Sequence, residues 1–386
     1  MPHPDKRLPA DGNTESEEVI HYLAAGESRA RQLNNRGPIR FNADGSLHQD
    51  ITSAYWEHGF YVFEQVLDDS ELQDIEADID FIKAHLPVSK DAKVDASGQP
   101  ALGADAKAPT LFWAKPLADP VGGTDLANGR HPAKMTEPTP PAGAPDELVY
   151  MILGSLQFSD ACLRLYGHPQ LLAVAAQING EDFAPFNEAL FIKEPRLGAS
   201  VAWHQDGTTH WDSPDFDEGC HGFNFMAQLY GCTAANGVWV VPGTHKHARV
   251  DIRAMVEEAG SDRLPAAVPI ICGPGGVAMC NRQVLHGSFA NTSDDPRVTI
   301  NFGFHRRASV LGVTGADITN NHSVYDAARI AERSKLIAYA IDARHQRFPH
   351  ETPYRYQPLA DSAQRYRWDP SMRENLKDYN LLDLRI

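Results

Sequence analysis

Between residues 183 and 304 the sequence breaks into short runs rich in β-branched and aromatic residues, with turn-forming residues between them. About eight such runs at this spacing are typical of a double-sheet jelly roll. We therefore predict a mainly β fold with added helices (α+β): a double-stranded β-helix (jelly-roll, cupin-like) core flanked by N- and C-terminal helices. The predicted strands are Ala189–Lys193, Ser200–Trp203, Phe223–Tyr230, Val238–Val241, Val268–Ile271, Gly276–Cys280, Ser288–Ala290 and Val298–Phe304.

The chain on either side of this region has a different residue pattern. Residues 1–48 are polar and irregular, apart from a short helical pattern around Glu15–Leu33. We predict a single jelly-roll domain over 49–320, interrupted at 87–147 by a Pro-, Ala- and Gly-rich insertion or lid. Residues 321–386 are predicted to be a helical extension packed on the same domain.

Helices are predicted from apolar residues at helical spacing and from capping residues. One predicted helix follows Asp68, which is its N-cap, and the apolar positions of this helix are Leu72, Ile75, Ile79 and Ile82. The predicted helices are Ile51–His58, the segment after Asp68, Leu148–Gln157, Pro169–Gln177 and Tyr325–Asp342.

Charge and cysteine content limit the function classes. Lys and Arg total 35 and Asp and Glu total 51, so the formal net charge is −16, which argues against non-specific binding to nucleic acid or anionic membranes. The five cysteines form no CxxC pair, so neither a disulfide framework nor a zinc knuckle is indicated. With no signal-peptide core and no run as long as a membrane helix, we expect a soluble cytoplasmic protein.

The segment Val201–Gly207 carries the first chemical signal. It places His204 and Asp206 two residues apart, and residues i and i+2 of a strand point to the same face. An imidazole and a carboxylate can therefore reach one metal ion. A second imidazole, His286, lies far downstream, and two His with one carboxylate form the facial triad of non-haem Fe(II) oxygenases.

The run Arg297–Phe304 follows that His and alternates cleanly. Its apolar residues occupy one face, and Arg297, Thr299 and Asn301 occupy the other. An Arg inside a jelly roll needs an anionic partner, and a guanidinium suits a carboxylate. An exposed edge-strand Arg paired with a neighbouring Asp is the alternative.

Together these segments resemble the phytanoyl-CoA dioxygenase family of Fe(II)/2-oxoglutarate-dependent oxygenases. Four stretches match the family's pattern in order, whereas the 87–147 insertion and the tail beyond about residue 320 do not match. The matching stretches are Trp56–Phe63 (first helix and strand), Trp203–Asp206 with Trp211 (the HQD segment), Asn236–Lys246 (the NG…PGSH turn) and His286–Ser288 with Arg297 (the distal His and the cosubstrate Arg).

The resemblance implies roles for these residues. His204, Asp206 and His286 would bind Fe(II), and Arg297, helped by Thr299, would bind the distal carboxylate of 2-oxoglutarate. The implied reaction uses O2 and couples decarboxylation of 2-oxoglutarate to succinate and CO2 with hydroxylation, or another oxidation, of an unactivated C–H in a small or medium-sized metabolite.

Further site residues are predicted around this centre. Asn187 and Lys193 are an even number of positions apart, so they could share a strand face toward 2-oxoglutarate, with a surface Lys as the alternative. The predicted cosubstrate-binding residues are Asn187, Lys193 and Gln228, and the predicted substrate-binding residues are Gln205, Thr208, His210 and Trp211.

Other readings remain open. Related halogenases carry a small residue at the carboxylate position, so Asp206 favours hydroxylation. His245 and His247 are an alternative metal pair, although their place beside a Pro-Gly turn favours a surface role. The other candidates are an acyl-CoA 2-hydroxylase, a metal-free jelly roll used for binding, and a cupin that holds zinc or another metal.

Overall fold

The computed structural model describes residues 17–207 and 222–386. Its described strands form a large sheet, a small sheet and a separate hairpin. The strands are β1 (Arg36–Gly37), β2 (Phe60–Phe63), β3 (Leu111–Ala114), β4 (Leu148–Leu153), β5 (Ala184–Lys193), β6 (Val201–His204), β7 (Gly222–Gln228), β8 (Trp239–Val241), β9 (Val268–Pro269), β10 (Val277–Asn281), β11 (Leu285–Ser288), β12 (Arg297–His305), β13 (Thr314–Ala316) and β14 (His322–Val324).

The strand order in the two larger sheets is that of a jelly roll. The eight-stranded sheet has the order β1-β2-β10-β7-β12-β5-β4-β3, and the four-stranded sheet has the order β6-β11-β8-β9. From β5 to β12 the chain alternates between the sheets, apart from the consecutive β8 and β9, and these strands pair antiparallel. This arrangement confirms the predicted jelly-roll core. The run predicted at Ser288–Ala290 lies earlier, as β11.

The two sheets face each other, and helices cover the other side of the large sheet. Met226 of β7 and Val240 of β8 share one buried cluster, so the interior faces of the two sheets pack together. On β12, Val298 and Ile300 belong to a different core cluster that includes residues of the helices. Thr299 points to the opposite, inter-sheet face, as the alternating pattern predicts.

The helices lie before, between and after the jelly-roll strands. They are α1 (Glu17–Gln32), α2 (Gln49–His58), α3 (Asp69–Ala84), α4 (Asp160–Tyr166), α5 (Pro169–Asn179), α6 (Ile252–Ala259), α7 (Arg307–Val310), α8 (Ala327–Arg347) and α9 (Arg373–Leu376).

Several helix boundaries follow the sequence signals. Gly59 ends α2 with φ 82°, a left-handed conformation that costs glycine little. Asp68 begins α3 with a capping box, in which its carboxylate accepts from the Glu71 backbone N–H and the Glu71 side chain accepts from the Asp68 backbone N–H. These boundaries depend on local chemistry, which explains why the sequence predicts them.

The helix predicted at Leu148–Gln157 is wrong. Residues Leu148–Leu153 form β4, which pairs with β3 and β5, and only a single 3-10 turn follows. The run contains Val, Tyr and Ile, which favour strands, and six apolar residues are too few for helical periodicity to be decisive. The insertion therefore contributes β3 to the large sheet.

The terminal helices pack on the jelly roll. Tyr22 of α1 stacks on Trp239 of β8 with ring centroids 4.7 Å apart. A Cβ at Gly26 would lie 2.3 Å from that indole, so the close approach of α1 requires glycine here. Leu336 of α8 lies in the core cluster on the helical side of the large sheet. The domain limits predicted above stay a prediction, and this packing supports a single unit.

A buried carboxyl group lies where β5 meets the C-terminal segment. The side chain of Glu188 is 1% exposed and accepts hydrogen bonds from the Ser155 and Tyr379 hydroxyls. Burial raises the pKa of Glu188 to about 8. The folded chain therefore holds this proton at pH values where the unfolded chain has lost it.

We expect stability to fall as pH rises through this window. Between about pH 4.5 and 8 the folded state binds more protons at Glu188 than the unfolded state does. The free energy of unfolding should therefore fall by up to about 1.4 kcal/mol per pH unit from this group. Glu188→Gln should flatten the profile, as measured by urea unfolding across that range. The exposed Glu181→Gln is the control, and an equally steep Glu188→Gln profile would contradict the assignment.

Candidate metal centre

Three potential metal ligands converge between the two sheets. His204 ends β6 and lies directly opposite His286 of β11 in the strand register, and Asp206 follows two residues after His204. One ligand atom from each of the three lies within 4.8 Å of the other two, and all three side chains are buried. Among the described residues this is the one group of its kind.

Both imidazoles are oriented by the same local contact. Nδ1 of His204 hydrogen-bonds to the Ala202 carbonyl at 2.8 Å, and Nδ1 of His286 hydrogen-bonds to the Val284 carbonyl at 2.9 Å. Because a carbonyl only accepts, each Nδ1 carries the proton and each Nε2 has a free lone pair. Burial lowers the pKa of both residues, which favours the neutral form that binds metals.

The carboxylate of Asp206 is held by two side chains. Its Oδ1 accepts from Arg130 Nη1 at 2.7 Å, and its Oδ2 accepts from Asn224 Nδ2 at 3.2 Å. Burial opposes ionisation, but Arg130 and then His204 hold the pKa of Asp206 well below its usual range. The group thus offers one carboxylate and two neutral imidazoles, a donor set that fits Fe(II) with open coordination positions.

A buried cationic pocket lies on the neighbouring strands of the large sheet. Arg297 of β12 is 2% exposed and lies opposite Lys193 of β5, which is also 2% exposed. Arg297 Nη1 donates to the Asn236 carbonyl at 2.9 Å, and Lys193 Nζ donates to the Phe289 carbonyl. Neither cation forms an ion pair with a carboxylate within residues 17–207 and 222–386.

The electrostatics of this pocket favour an anion. Burial lowers the pKa of Arg297 to about 10. Burial, and then the charge of Arg297, lower the pKa of Lys193 well below its usual value. Beside them, the Thr299 hydroxyl donates to Gln228 Oε1 at 2.8 Å. A buried charge without an acidic partner among the described residues is costly, so a bound carboxylate would stabilise the charged forms of Arg297 and Lys193.

The comparison with protein families agrees with this geometry. The family model described as phytanoyl-CoA dioxygenase (PhyH) matches residues 55–299, which is more than half of the chain. The chain belongs to the phytanoyl-CoA dioxygenase family. Membership and the His-Asp-His group together confirm the predicted class, an Fe(II)/2-oxoglutarate-dependent dioxygenase, and its predicted cofactor and cosubstrate.

Sequence identity between this PhyH-family chain and a curated relative is low. L-proline trans-4-hydroxylase from Streptomyces griseoviridis is 24% identical over an alignment of 177 residues, and the match covers 40% of this chain. The matched chain spans 66% of the length of that relative.

Solved structures with similar folds are also distant in sequence. EctD from S. alaskensis with 2-oxoglutarate and 5-hydroxyectoine has a TM-score of 0.49 at 19% identity, covering 72% of this chain and 82% of that one. The α-ketoglutarate-dependent carbocyclase SnoK from nogalamycin biosynthesis has a TM-score of 0.44 at 16% identity, covering 69% and 87%. The fold assignment of this PhyH-family chain therefore depends on its own strand order.

The insertion contributes two residues that the sequence does not predict. Arg130 contacts Asp206 as described, and the His131 ring lies 4.3 Å from the His204 ring between centroids. Burial, and then Arg130, lower the pKa of His131 to about 3, so this imidazole is neutral. The sequence around Arg130 and His131 has no strand or helix period, and only the presence of Arg next to His there could have pointed to the site.

The predicted cosubstrate residue Asn187 lies at an irregularity in β5. Asn187 is the extra residue of a β-bulge, because Glu188 pairs with Phe302 and Phe186 pairs with Gly303. The bulge interrupts the alternation that would place Asn187 and Lys193 on the same face. The role of Asn187 stays a prediction.

Three further predicted site residues lie outside the described residues. They are Thr208, His210 and Trp211.

Gln205 is anchored to backbone groups on two other segments. Its Nε2 donates to the Gln283 carbonyl at 2.7 Å and to the Ala248 carbonyl at 3.3 Å, and its Oε1 accepts from the Val250 N–H at 3.0 Å. The amide is therefore engaged by the protein itself. This arrangement favours positioning of the flanking ligands over the predicted contact with substrate.

The alternative metal pair is not assembled. His245 Nε2 bonds to the Trp56 carbonyl at 2.9 Å, while His247 is exposed.

Within the described ranges, no helix is both long and apolar enough to cross a membrane.

We expect Gln205→Met to loosen the metal centre. The substitution keeps the side-chain volume but leaves backbone groups unpaired, at a cost of about 1–3 kcal/mol in the free energy of unfolding. Loss of this support should weaken Co(II) binding about tenfold, measured by the visible absorption of the cobalt protein. Gln32→Met on the exposed face of α1 is the control. Unchanged stability and metal affinity, with weaker substrate binding, would restore the predicted substrate contact.

Proposed function

We propose that this protein hydroxylates, or otherwise oxidises, an unactivated C–H of a small metabolite, with Fe(II) and 2-oxoglutarate. The observation that carries this proposal is the buried group of His204, Asp206 and His286, in which both Nδ1 atoms bond to backbone carbonyls and the carboxylate is ionised. These three residues would hold the metal. Bound Fe(II), with 2-oxoglutarate and O2, supplies the oxidising chemistry that no protein side chain provides.

The cationic pocket is proposed to bind the distal carboxylate of 2-oxoglutarate. Arg297 still has donors beyond its bond to the Asn236 carbonyl, and its Nε is buried without a partner among the described residues. Thr299 and Gln228 would add hydrogen bonds, and Lys193 would add charge. Because these side chains are buried, they would orient the cosubstrate away from water.

Asp206 supports hydroxylation over halogenation. A halogenase needs an open position where the carboxylate would be, whereas this carboxylate is present and directed toward the two imidazoles. The metal-free alternative predicts the loss of a ligand, whereas His204, Asp206 and His286 lie together in one buried group.

The substrate is proposed to be a small or medium-sized metabolite. The similarity to an L-proline hydroxylase supports an amino-acid-like compound. The alternative is an acyl-CoA substrate. Screening amino-acid-like compounds and acyl-CoA compounds for substrate-stimulated succinate release would distinguish the two classes.

We also propose a cytoplasmic location. The four described cysteines are free and buried, and Cys232 and Cys272 lie with their Sγ atoms 3.7 Å apart. A reducing compartment keeps such thiols unpaired. A disulfide between them in protein isolated from its native cells under alkylating conditions would argue against this location.

Removal of a single ligand should abolish assembly of the centre. Under anaerobic conditions, Fe(II) with 2-oxoglutarate should give a weak visible charge-transfer band in the unmodified protein. His204→Ala, Asp206→Ala and His286→Ala should each eliminate it, because three ligands are needed to hold the metal. His247→Ala removes an exposed imidazole and should keep the band.

The same measurement separates the competing classes. A zinc cupin or a binding protein would give no band with Fe(II) and 2-oxoglutarate. No band in the unmodified protein, together with no succinate formed in air with any substrate, would refute the proposed function.

Arg297→Ala should weaken 2-oxoglutarate binding. Loss of a charge-assisted hydrogen bond costs about 1.5–3 kcal/mol, so the dissociation constant should rise about 10- to 100-fold. Titration of the anaerobic charge-transfer band with 2-oxoglutarate measures it without any substrate. Arg196→Ala, which removes an Arg paired with Asp294 at the surface, is the matched control. An unchanged constant would mean that another residue holds the distal carboxylate.

A further inference from the structure

The insertion places a cation and an imidazole beside the metal centre. Arg130 donates to Asp206 Oδ1 at 2.7 Å, and the His131 ring lies against His204. Neither residue belongs to the jelly roll, and neither is needed to complete the three-ligand group. Their placement therefore needs a separate explanation.

The segment that carries them is firmly attached to the small sheet and its loops. The Pro132 carbonyl accepts from Arg253 Nε at 3.0 Å, and the Thr136 N–H donates to Asp262 Oδ2 at 2.6 Å. Met135 is 3% exposed and lies in the core cluster that contains Trp203. The segment is thus fixed in position directly after its contact with the metal centre.

The turn before Arg130 is strained. Ala127 and Asn128 have φ of 51° and 60°, and Gly129 continues the left-handed path with φ 66°. Left-handed conformations cost a residue such as Ala about 1–2 kcal/mol, and such strain is concentrated at functional sites. The strained turn directs the chain so that Arg130 reaches inward.

Both side chains keep unused polar atoms. Arg130 Nε and His131 Nδ1 are buried and have no hydrogen-bond partner among the described residues. The His131 residue is 3% exposed, whereas a third of the Arg130 side chain, 33%, remains accessible. A buried imidazole nitrogen beside a partly open guanidinium is suited to an oxygen acceptor that enters from outside.

Charge balance indicates which acceptor fits. A divalent metal, the Asp206 carboxylate and the 2-oxo acid carboxylate of the cosubstrate sum to zero. The Arg130 charge is then left over, since Asp206 is its one acidic partner within the described ranges and would be shared with the metal. A further anion at Arg130 would restore neutrality in this buried region.

We propose that Arg130 and His131 bind a carboxylate group of the substrate, so the substrate class is small carboxylic acids such as amino or hydroxy acids. This proposal rests on the proposed function. It assigns the two carboxylates in the reaction to different anchors: Arg297, on the large sheet, for the cosubstrate, and Arg130, on the insertion, for the substrate. The guanidinium fits a planar carboxylate through paired N–H donors.

Matched pairs of ligands test this assignment. L-Proline and a panel of other amino and hydroxy acids, each with its primary amide, are titrated into the anaerobic Fe(II)–2-oxoglutarate protein. Binding is read from the change in the charge-transfer band, and succinate release in air is a second readout. At least one acid should bind 10- to 100-fold more tightly than its amide, the range expected from a charged hydrogen bond.

With Fe(II) and 2-oxoglutarate at concentrations that saturate each variant, Arg130→Gln should remove the preference for acids, and Arg130→Lys should restore part of it. Lys134→Gln is the matched control, because it removes one positive charge from an exposed position in the same segment. It should keep the full preference. His131→Gln should weaken acid binding less than Arg130→Gln does.

Each of the following outcomes would contradict the proposal. Equal binding of acids and amides, or a preference that survives in Arg130→Gln, would overturn the assignment and indicate that Arg130 pairs with an acidic group of its own chain. A normal band that no acid perturbs would also overturn it while leaving the metal chemistry intact. Absence of the band in the unmodified protein would refute the proposed function itself, and this inference with it.

Discussion

The antiparallel pairing of β6 with β11 is the constraint on which the site depends. It places His204 opposite His286, and each ring is then fixed by the carbonyl two residues earlier in its own strand. The backbone thus determines the tautomer of both imidazoles. Asp206 needs only to follow in sequence to complete the group. A register shift of one residue would turn the imidazoles to the other face of the sheet.

The second organising principle is unbalanced positive charge in a protein that is strongly acidic overall. The net charge is −16, yet Arg297 and Lys193 are buried without a carboxylate partner in the described structure, and Arg130 shares its partner with the metal centre. Such cations are costly in the absence of anions. Their presence makes sense if the protein is completed by anionic small molecules, and their separation on different elements lets two anions be recognised independently.

The jelly-roll core and the convergence of His204 and Asp206 on one face could be predicted from the sequence because both follow from local, period-two patterns. The alternation along β12 separates Val298 from Thr299 correctly, and the HxD spacing identifies His204 and Asp206. Contacts over long sequence distances are not encoded in this way. Arg130 reaches Asp206 across 76 positions from a segment without periodicity. The role of Gln205 was equally hidden, because its partners are 43 to 78 residues away. Leu148–Leu153 shows a related limit: its strand character depends on neighbours that a short apolar run does not reveal.

The anchoring of Gln205 has a consequence for the life cycle of the enzyme. Because its amide joins the segment between two ligands to loops near Ala248 and Gln283, the three ligands are preorganised by the protein alone. Folding and metal acquisition are then separable events. We therefore expect the folded chain to keep its structure when a chelator removes iron, and to bind iron again afterwards. Such a protein can tolerate fluctuating iron supply as a reversible change in its active fraction.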